Sequence, residues 1–359
     1  MDKKTQQLIF KLGRPFSGLY ALAMRLRALG YRYNIFKTKR VPRPVISIGN
    51  LTLGGTGKTP HVIAICQYLQ EKGLRPAVVT RGYGGKAGKG PLVVSDGRCV
   101  VTTADVAGDE PVMMAPKLWG VPIIAGSDRY RCSMFAIEEF DASIIVLDDG
   151  FQHLRLHRDV DIVLMEASAP FGTGRVFPGG NLREPLSALS RADAIVLTKC
   201  NEIDPNTIVL VENRVRPLAP DKPIFTSKYE LDSIELVAGP QSPSTISEQE
   251  LGRKRIFCFC ALAQPESFYC LVRESGLDVC GTMSFPDHHF YTQEDIEAVV
   301  TRAKETNCQI VLTTEKDFAK IARSSWTTCT DKLGLGIVRV KANLSDSFQI
   351  FIWTRVANL

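Results

Sequence analysis

The sequence predicts an α/β protein of two doubly wound α/β/α domains, the second smaller, with a basic amphipathic helix ahead of them. Three observations carry this. Short, continuous aliphatic runs recur along the chain, and each is followed by a loop and a helical stretch. The series is broken once, at Gly239–Pro243 (GPQSP), and then begins again. Aliphatic runs without alternation suit strands buried on both faces, as in a parallel sheet covered by helices on either side.

The N-terminal segment stands apart by charge. The whole chain of 359 residues carries a net charge of only +6. Up to Pro44, however, eleven basic residues face one acid, Asp2. Within Phe16–Tyr31, helical spacing puts Leu19, Leu22, Ala23, Leu26 and Leu29 on one face, with Arg25 and Arg27 on others and tyrosines at the ends. A basic amphipathic helix with aromatics fits a membrane interface, and it equally fits an N-terminal helix packed on the next domain. No apolar run approaches the ~18–20 residues of a membrane span, and no signal-peptide pattern opens the chain, so a cytoplasmic location is expected. The ten cysteines are scattered without a CxxC pair, which argues against zinc and for reduced thiols.

From Pro44 the elements follow in order. Val45–Ile48 reads as a strand and Thr59–Lys72 as a helix; further strands are predicted at Ala77–Thr80, Val121–Ala125, Ser143–Leu147, Ile162–Met165 and Ala194–Leu197. Two more are expected near Pro223–Lys228 and Ile234–Ala238. The second series has strands near Arg255–Phe259, Asp278–Ser284, Gln309–Thr313 and Gly336–Val340. Helices are predicted at Pro265–Ser275, Thr292–Glu305, Lys316–Arg323 and Ser345–Val356. The expected organisation is therefore a helical region 1–40, a first domain 41–230, a linker 231–250 and a second domain 251–359, with a site between the domains.

The segment from Ile46 to Pro60, ISIGNLTLGGTGKTP, carries the strongest chemistry. A strand enters a glycine-rich turn that opens a helix. Gly54, Gly55 and Gly57, with Thr56 between them, let successive N–H groups converge on a phosphate, and the helix N-terminus adds partial positive charge. Lys58 would reach the β- and γ-phosphates of a nucleotide, and the Thr59 hydroxyl would ligate Mg²⁺. The first domain is thus P-loop NTPase-like. One departure is Thr52, where the general P-loop pattern has glycine.

Ser143–Asp149 (SIIVLDD) ends a buried strand in two acids, and Asp148 and Asp149 are candidates to hold the metal. Gly108–Pro111 (GDEP) precedes a helix, where Asp109 could be an N-cap and nothing more. Phe285–Tyr291 (FPDHHFY) holds two of the five histidines, better suited to proton transfer than to a metal. In Val176–Pro185 (VFPGGNLREP), Arg183 and Glu184 could meet phosphate and metal respectively. Val311–Asp317 (VLTTEKD) offers hydroxyls and charges at a strand end.

Taken in order, SIGNLTLGGTGKTP, TRGYGG, GDEP, DDGFQH, FPGGNLREP, LTK, FPDHH and TTEKD resemble the tetraacyldisaccharide 4′-kinases, the lipid A 4′-kinases of Gram-negative bacteria. The resemblance spans about residues 15 to 320, and that family's loop shares the shape with Thr52. It implies ATP and Mg²⁺ as cofactors and a tetraacyl glucosamine disaccharide 1-phosphate as acceptor. It also implies a peripheral place on the cytoplasmic face of the inner membrane; a monomer that binds no nucleic acid is the expectation alongside it. Position by position, it implies an acid–histidine dyad of Asp109 and His288, the phosphate lysine Lys58, and metal binding by Thr59, Asp148, Asp149 and Glu184. Arg183 is implied as a nucleotide or phosphate contact.

Two other readings compete. A P-loop GTPase for metal delivery would use Leu197–Asn201 (LTKCN) to read guanine, but Asn201 stands where an aspartate is needed. A non-catalytic nucleotide-binding membrane adaptor would leave the dyad without a role.

Overall fold

The computed structural model describes residues 3–53, 56–82, 90–237, 244–246, 251–252, 254–262, 265–286, 289–318, 320–321 and 333–359. Two compact units result, one of residues 1–228 and 342–359 and the other of residues 229–341.

The first unit opens with helices α1 (Lys3–Gly13) and α2 (Ser17–Arg32). Its strands are β1 (Val45–Asn50), β2 (Pro76–Thr80), β3 (Leu92–Ser95), β4 (Ile123–Ala125), β5 (Ile144–Asp148), β6 (Val160–Glu166), β7 (Ala194–Thr198) and the start of β8 (Ile224–Val237). They lie in the order β3-β4-β2-β5-β1-β6-β7-β8. All pairs are parallel except β3 with β4. Every residue of β1, β2, β5 and β7 is buried, which is why these strands read as unbroken aliphatic runs. The helices between them are α3 (Lys58–Glu71), α4 (Ala104–Ala107), α5 (Asp109–Met114), α6 (Arg129–Phe140) and α7 (Pro205–Val215). Two have a side-chain cap at their start: Asp128 accepts from the Arg131 N–H and Asp204 from the Asn206 N–H.

The second unit contains the rest of β8, then β9 (Ser244–Ile246), β10 (Arg255–Cys260), β11 (Asp278–Ser284), β12 (Ile310–Thr314) and most of β13 (Gly334–Leu344). Helices α8 (Pro265–Glu274), α9 (Gln293–Glu305) and α10 (Glu315–Phe318) accompany them. β10 lies between β11 and β12 with both pairings parallel, and two apolar clusters fill the unit, one around Tyr269 and one around Phe259. Thr292 and Asp295 form a reciprocal capping box that starts α9.

The mixed α/β architecture follows the sequence, but the division differs at the C-terminal end from the expected 251–359 domain. Helix α11 (Asp346–Ala357) buries Phe348, Ile352 and Val356 in the core of the first unit, against Ile65, Leu69 and Phe225. Part of the expected linker 231–250 is strand, because β8 runs without a break through Tyr229–Ser233 with alternating exposure.

One position tests how tightly the sheet closes around the loop that follows it. A Cβ on Gly49 in β1 would lie 2.5 Å from the Phe151 Cβ and 2.8 Å from its backbone nitrogen. Gly49→Ala is expected to lower stability by about 1–3 kcal/mol, read as a drop in Tm against the parent chain.

Candidate active site

Parallel pairing brings the carboxyl ends of neighbouring strands to one edge of the first unit's sheet. In register, Ile48 of β1 lies beside Asp148 of β5. The turn after β1 and the acids ending β5 are therefore neighbours, although about a hundred residues separate them in sequence.

The turn after β1 is held from both sides. At its end, Gly57 adopts φ +81°, a conformation suited to glycine, and caps α3. Asn50 Nδ2 donates to Thr56 Oγ1 at 2.9 Å, and Thr198 Oγ1 at the end of β7 donates to the Thr56 carbonyl at 3.1 Å. At its front, Leu53 N donates to the Asn181 carbonyl at 2.6 Å and Arg183 N to the Leu51 carbonyl at 2.7 Å. Gly54 and Gly55 lie outside the described residues. Thr56, Gly57, Lys58 and Thr59 sit where the sequence placed them, at the mouth and first turn of α3.

Charge converges on the end of β5. The Lys58 Nζ lies 3.6 Å from Asp149 Oδ1, and Arg183 Nη1 donates to both Asp149 oxygens, at 2.9 and 2.7 Å. Burial alone would raise the Asp149 pKa, but the cations Lys58 and Arg183 outweigh it and hold the carboxyl below its ordinary range. Asp148 is different. It is fully buried, and burial pushes its pKa up to about 6, with the negative charges of Glu110 and Asp149 adding to the effect. One oxygen accepts from Thr80 Oγ1 at 2.9 Å; the other, Oδ1, has no hydrogen-bond partner among the described residues. A buried carboxylate oxygen left unsatisfied beside a phosphate-type loop fits a divalent cation, and Thr59 supplies a nearby hydroxyl in the first turn of α3. Among the described residues no three His, Cys, Asp or Glu side chains form a metal cage. Mg²⁺ bound with nucleotide phosphates does not need one.

The remaining sequence candidates separate. Asp109 is exposed at the first position of α5, after Gly108 with φ +91°. Its neighbour Glu110 is close enough to Asp148 to raise that group's pKa, so the start of α5 belongs to this same region. Glu184 does not present a free carboxylate: it is buried, and Arg191 bonds both its oxygens at 2.9 and 3.1 Å. Its partner explains the burial, since a lone buried acid would be costly. His288 lies outside the described residues. The adjacent His289 is committed elsewhere, with Nε2 2.7 Å from Asp295 Oδ2 and its ring stacked on Phe285. Residues of the TTEKD segment are used within the second unit. Asp317 accepts from Thr314 Oγ1 and the Ala261 N–H, and Glu315 bonds to Arg339.

With this geometry in place, relatives are informative. The family model for tetraacyldisaccharide-1-P 4′-kinase matches residues 9–357. The chain belongs to that family. The tetraacyldisaccharide 4′-kinase of Desulfotalea psychrophila is 41% identical over 353 residues, covering 98% of this chain and 97% of that protein. That of Geobacter metallireducens is 41% identical over 316 residues, covering 88% and 89%. Among solved structures, the Aquifex aeolicus LpxK in complex with ATP has a TM-score of 0.67 at 30% identity, covering 95% of this chain and 98% of that one. The GTPase alternative is not favoured: the match is to a kinase family, and Lys199 of the LTKCN segment pairs with Glu166 at 2.9 Å.

Several residues that shape the site were given no role from the sequence. Thr80 and Thr198 are single hydroxyls at strand ends, and Arg129 is a buried cation 3.4 Å from the Asp148 carbonyl. His61 is fully buried on α3, and burial lowers its pKa to about 4, so it stays neutral. Only the sheet order reveals that these four border the loop and the acids.

The raised pKa of Asp148 has a signed consequence. Between its unfolded value near 4 and about 6, the folded state holds more protons than the unfolded state, so its contribution to stability falls as pH rises through that window. Without Mg²⁺ or nucleotide, Asp148→Asn is therefore expected to be more stable than the parent at pH 8, by up to roughly 3 kcal/mol. The difference should vanish below about pH 4, as measured by Tm across pH.

Proposed function

We propose that this chain transfers the γ-phosphate of ATP to the 4′-hydroxyl of a tetraacyl glucosamine disaccharide 1-phosphate, giving the bis-phosphorylated lipid A precursor. The observation that carries this reading is the meeting of Lys58, Asp148 and Asp149 at adjacent carboxyl ends of β1 and β5. It occurs in a chain whose family match runs from residue 9 to residue 357.

The residues of the loop take complementary tasks. Backbone N–H groups from Gly54 to Thr59 cradle the β- and γ-phosphates, and Lys58 turns from Asp149 to the phosphates as they arrive. The Thr59 hydroxyl, Asp148 and Asp149 would hold Mg²⁺, which supplies charge neutralisation on the phosphoryl group in transfer. Arg183 steadies Asp149 and is placed to meet phosphate charge. Glu184 serves the site through Arg191, as the partner that keeps that segment folded.

Asp109 accepts the proton of the sugar hydroxyl. A sugar hydroxyl ionises far above neutral pH, so the proton moves late, in a loose transition state. His288 is the histidine of the acid–histidine dyad, orienting the Asp109 carboxylate or sharing its proton. The engagement of His289 with Asp295 supports giving this task to His288. Positioning and charge neutralisation then suffice for phosphoryl transfer.

The acceptor is an amphiphile, and α1 and α2 suit delivery from a membrane surface. Leu8, Leu12, Phe16, Leu19, Leu22 and Leu26 recur at three- and four-residue spacing, each more than half exposed. Lys11, Arg14, Arg25 and Arg32 accompany them. No described helix is long and apolar enough to cross a membrane. The exposed apolar stripe and the basic residues beside it suit helices lying in the interface on the cytoplasmic face of the inner membrane, with basic residues drawn to anionic lipid at about 1 kcal/mol each. A cavity of about 720 Å³ beside α2, lined by Met24, Leu29, Arg25, Arg158 and Arg191, is an amphiphilic place for part of the acceptor.

Incubation with radiolabelled ATP and the tetraacyl disaccharide 1-phosphate should yield a labelled 4′-phosphate; absence of transfer to the lipid would overturn the reading. Asp109→Ala should lose about 10²- to 10⁴-fold in kcat while ATP binding persists. Near-normal turnover in that variant would remove Asp109 from its role. Deleting residues 1–33 should reduce recovery on anionic vesicles in a flotation assay, and unchanged partitioning would contradict the interface assignment.

A further inference from the structure

His61 is one turn into α3, beyond the residues of the GKTP motif, and it makes two hydrogen bonds that the phosphate-loop chemistry does not by itself require. Its Nδ1 lies 2.8 Å from the carbonyl of Gly57, and its Nε2 lies 2.9 Å from Ser227 Oγ on β8. Ser227 Oγ in turn lies 3.0 Å from the carbonyl of Asn343 on β13. His61 and Ser227 are both buried. The chain of contacts thus runs from the phosphate loop through α3 to β8 and β13 within the first unit.

We propose that His61 is a positioning residue for the phosphate loop: it pins the Gly57 carbonyl and braces it against Ser227.

The protons fix its direction. A carbonyl only accepts, so the bond to Gly57 requires the proton on Nδ1. In the neutral ring Nε2 is then an acceptor, and the Ser227 hydroxyl must donate to it. That hydroxyl has one proton and two acceptors in reach, His61 Nε2 and the Asn343 carbonyl, so it serves one at a time. The carbonyl being held belongs to the residue whose φ of +81° turns the backbone into α3. Rotation of that peptide would swing the Lys58 N–H away from the phosphates, because the same peptide plane carries both groups. A hydrogen bond on its carbonyl therefore presets the N–H that the nucleotide uses.

This inference rests on the ATP site proposed above, and direct nucleotide binding separates it from the identity of the acceptor. Three variants divide the contacts. His61→Leu keeps bulk and removes these two side-chain bonds, leaving the longer bond from the His61 backbone N–H to the Gly57 carbonyl at 3.4 Å. His61→Asn can place an amide N–H where Nδ1 stands, keeping the bond to Gly57. Ser227→Ala removes the brace, together with the hydroxyl's contact to the Asn343 carbonyl, and keeps the bond to Gly57. Calorimetric binding of MgATP should weaken about tenfold in His61→Leu and return to within about twofold in His61→Asn, with Ser227→Ala between them. The same order should appear in KM for ATP, with kcat at saturating ATP little changed. Binding in His61→Leu equal to the parent would overturn the proposal. So would a His61→Asn variant that folds, by Tm, yet binds MgATP no better than His61→Leu, since that pattern marks His61 as packing alone. If the parent binds MgATP but labels no lipid, the acceptor reading fails while the positioning test still stands.

Discussion

Parallel pairing of β1 with β5 is the constraint on which the site depends. Crossover connections force both strands to end at the same sheet edge, so a glycine loop after one and acids after the other meet without further design. The pairing places Asp148 next to Ile48 and leaves Asp149 to be drawn between Lys58 and Arg183. The two adjacent acids then live in opposite environments. Asp149 is paired with Lys58 and Arg183, which keep it ionised, whereas Asp148 is buried beside the loop with one oxygen unsatisfied among the described residues. That contrast is costly in the empty chain and useful once a cation and phosphates arrive, because the same burial strengthens each charge contact.

A second scaffold links the loop to the N-terminal helices. Segment 176–183 holds the front of the phosphate loop through Leu51 and Leu53. The same segment grips α2: Ser17 Oγ donates to the Val176 carbonyl at 2.6 Å and accepts from the Gly179 N–H at 2.9 Å. Tyr20 packs edge-on against Phe177, and Gly13 leaves room for Pro178. A helix whose apolar stripe faces outward is therefore fixed to the loop proposed to hold ATP. The N-terminal helices and the phosphate loop thus share one support.

Much of this was legible in the sequence because it depends on local pattern. Strands β1, β2, β5, β6 and β7 announced themselves as aliphatic runs, since both faces are buried. The phosphate loop, the acids of β5 and the family resemblance followed from short motifs. What escaped was polar or long-range. Strand β3 is short and antiparallel, and α6 has a weak apolar face, so neither produced a clear period. Helix α7 has start signals in Asp204 and Pro205 but was not among the expected helices. The polar middle of β8 hid one strand as two. Helix α11 was recognisable as a helix, but its home in the first unit depends on contacts between Phe348 and residues far earlier in the chain. Glu184 shows the limit for sites: the motif supplied an acid, and only the fold supplied Arg191 to occupy it.

The central claim is that the β1–β5 edge forms a site for metal-bound ATP, with Asp148 serving the metal. The most direct measurement compares ATP binding with and without Mg²⁺ in the parent chain and in Asp148→Asn. Mg²⁺ should tighten ATP binding in the parent, and the substitution should erase at least tenfold of that gain while metal-free binding is unchanged or improved. An equal Mg²⁺ effect in both proteins would contradict the account.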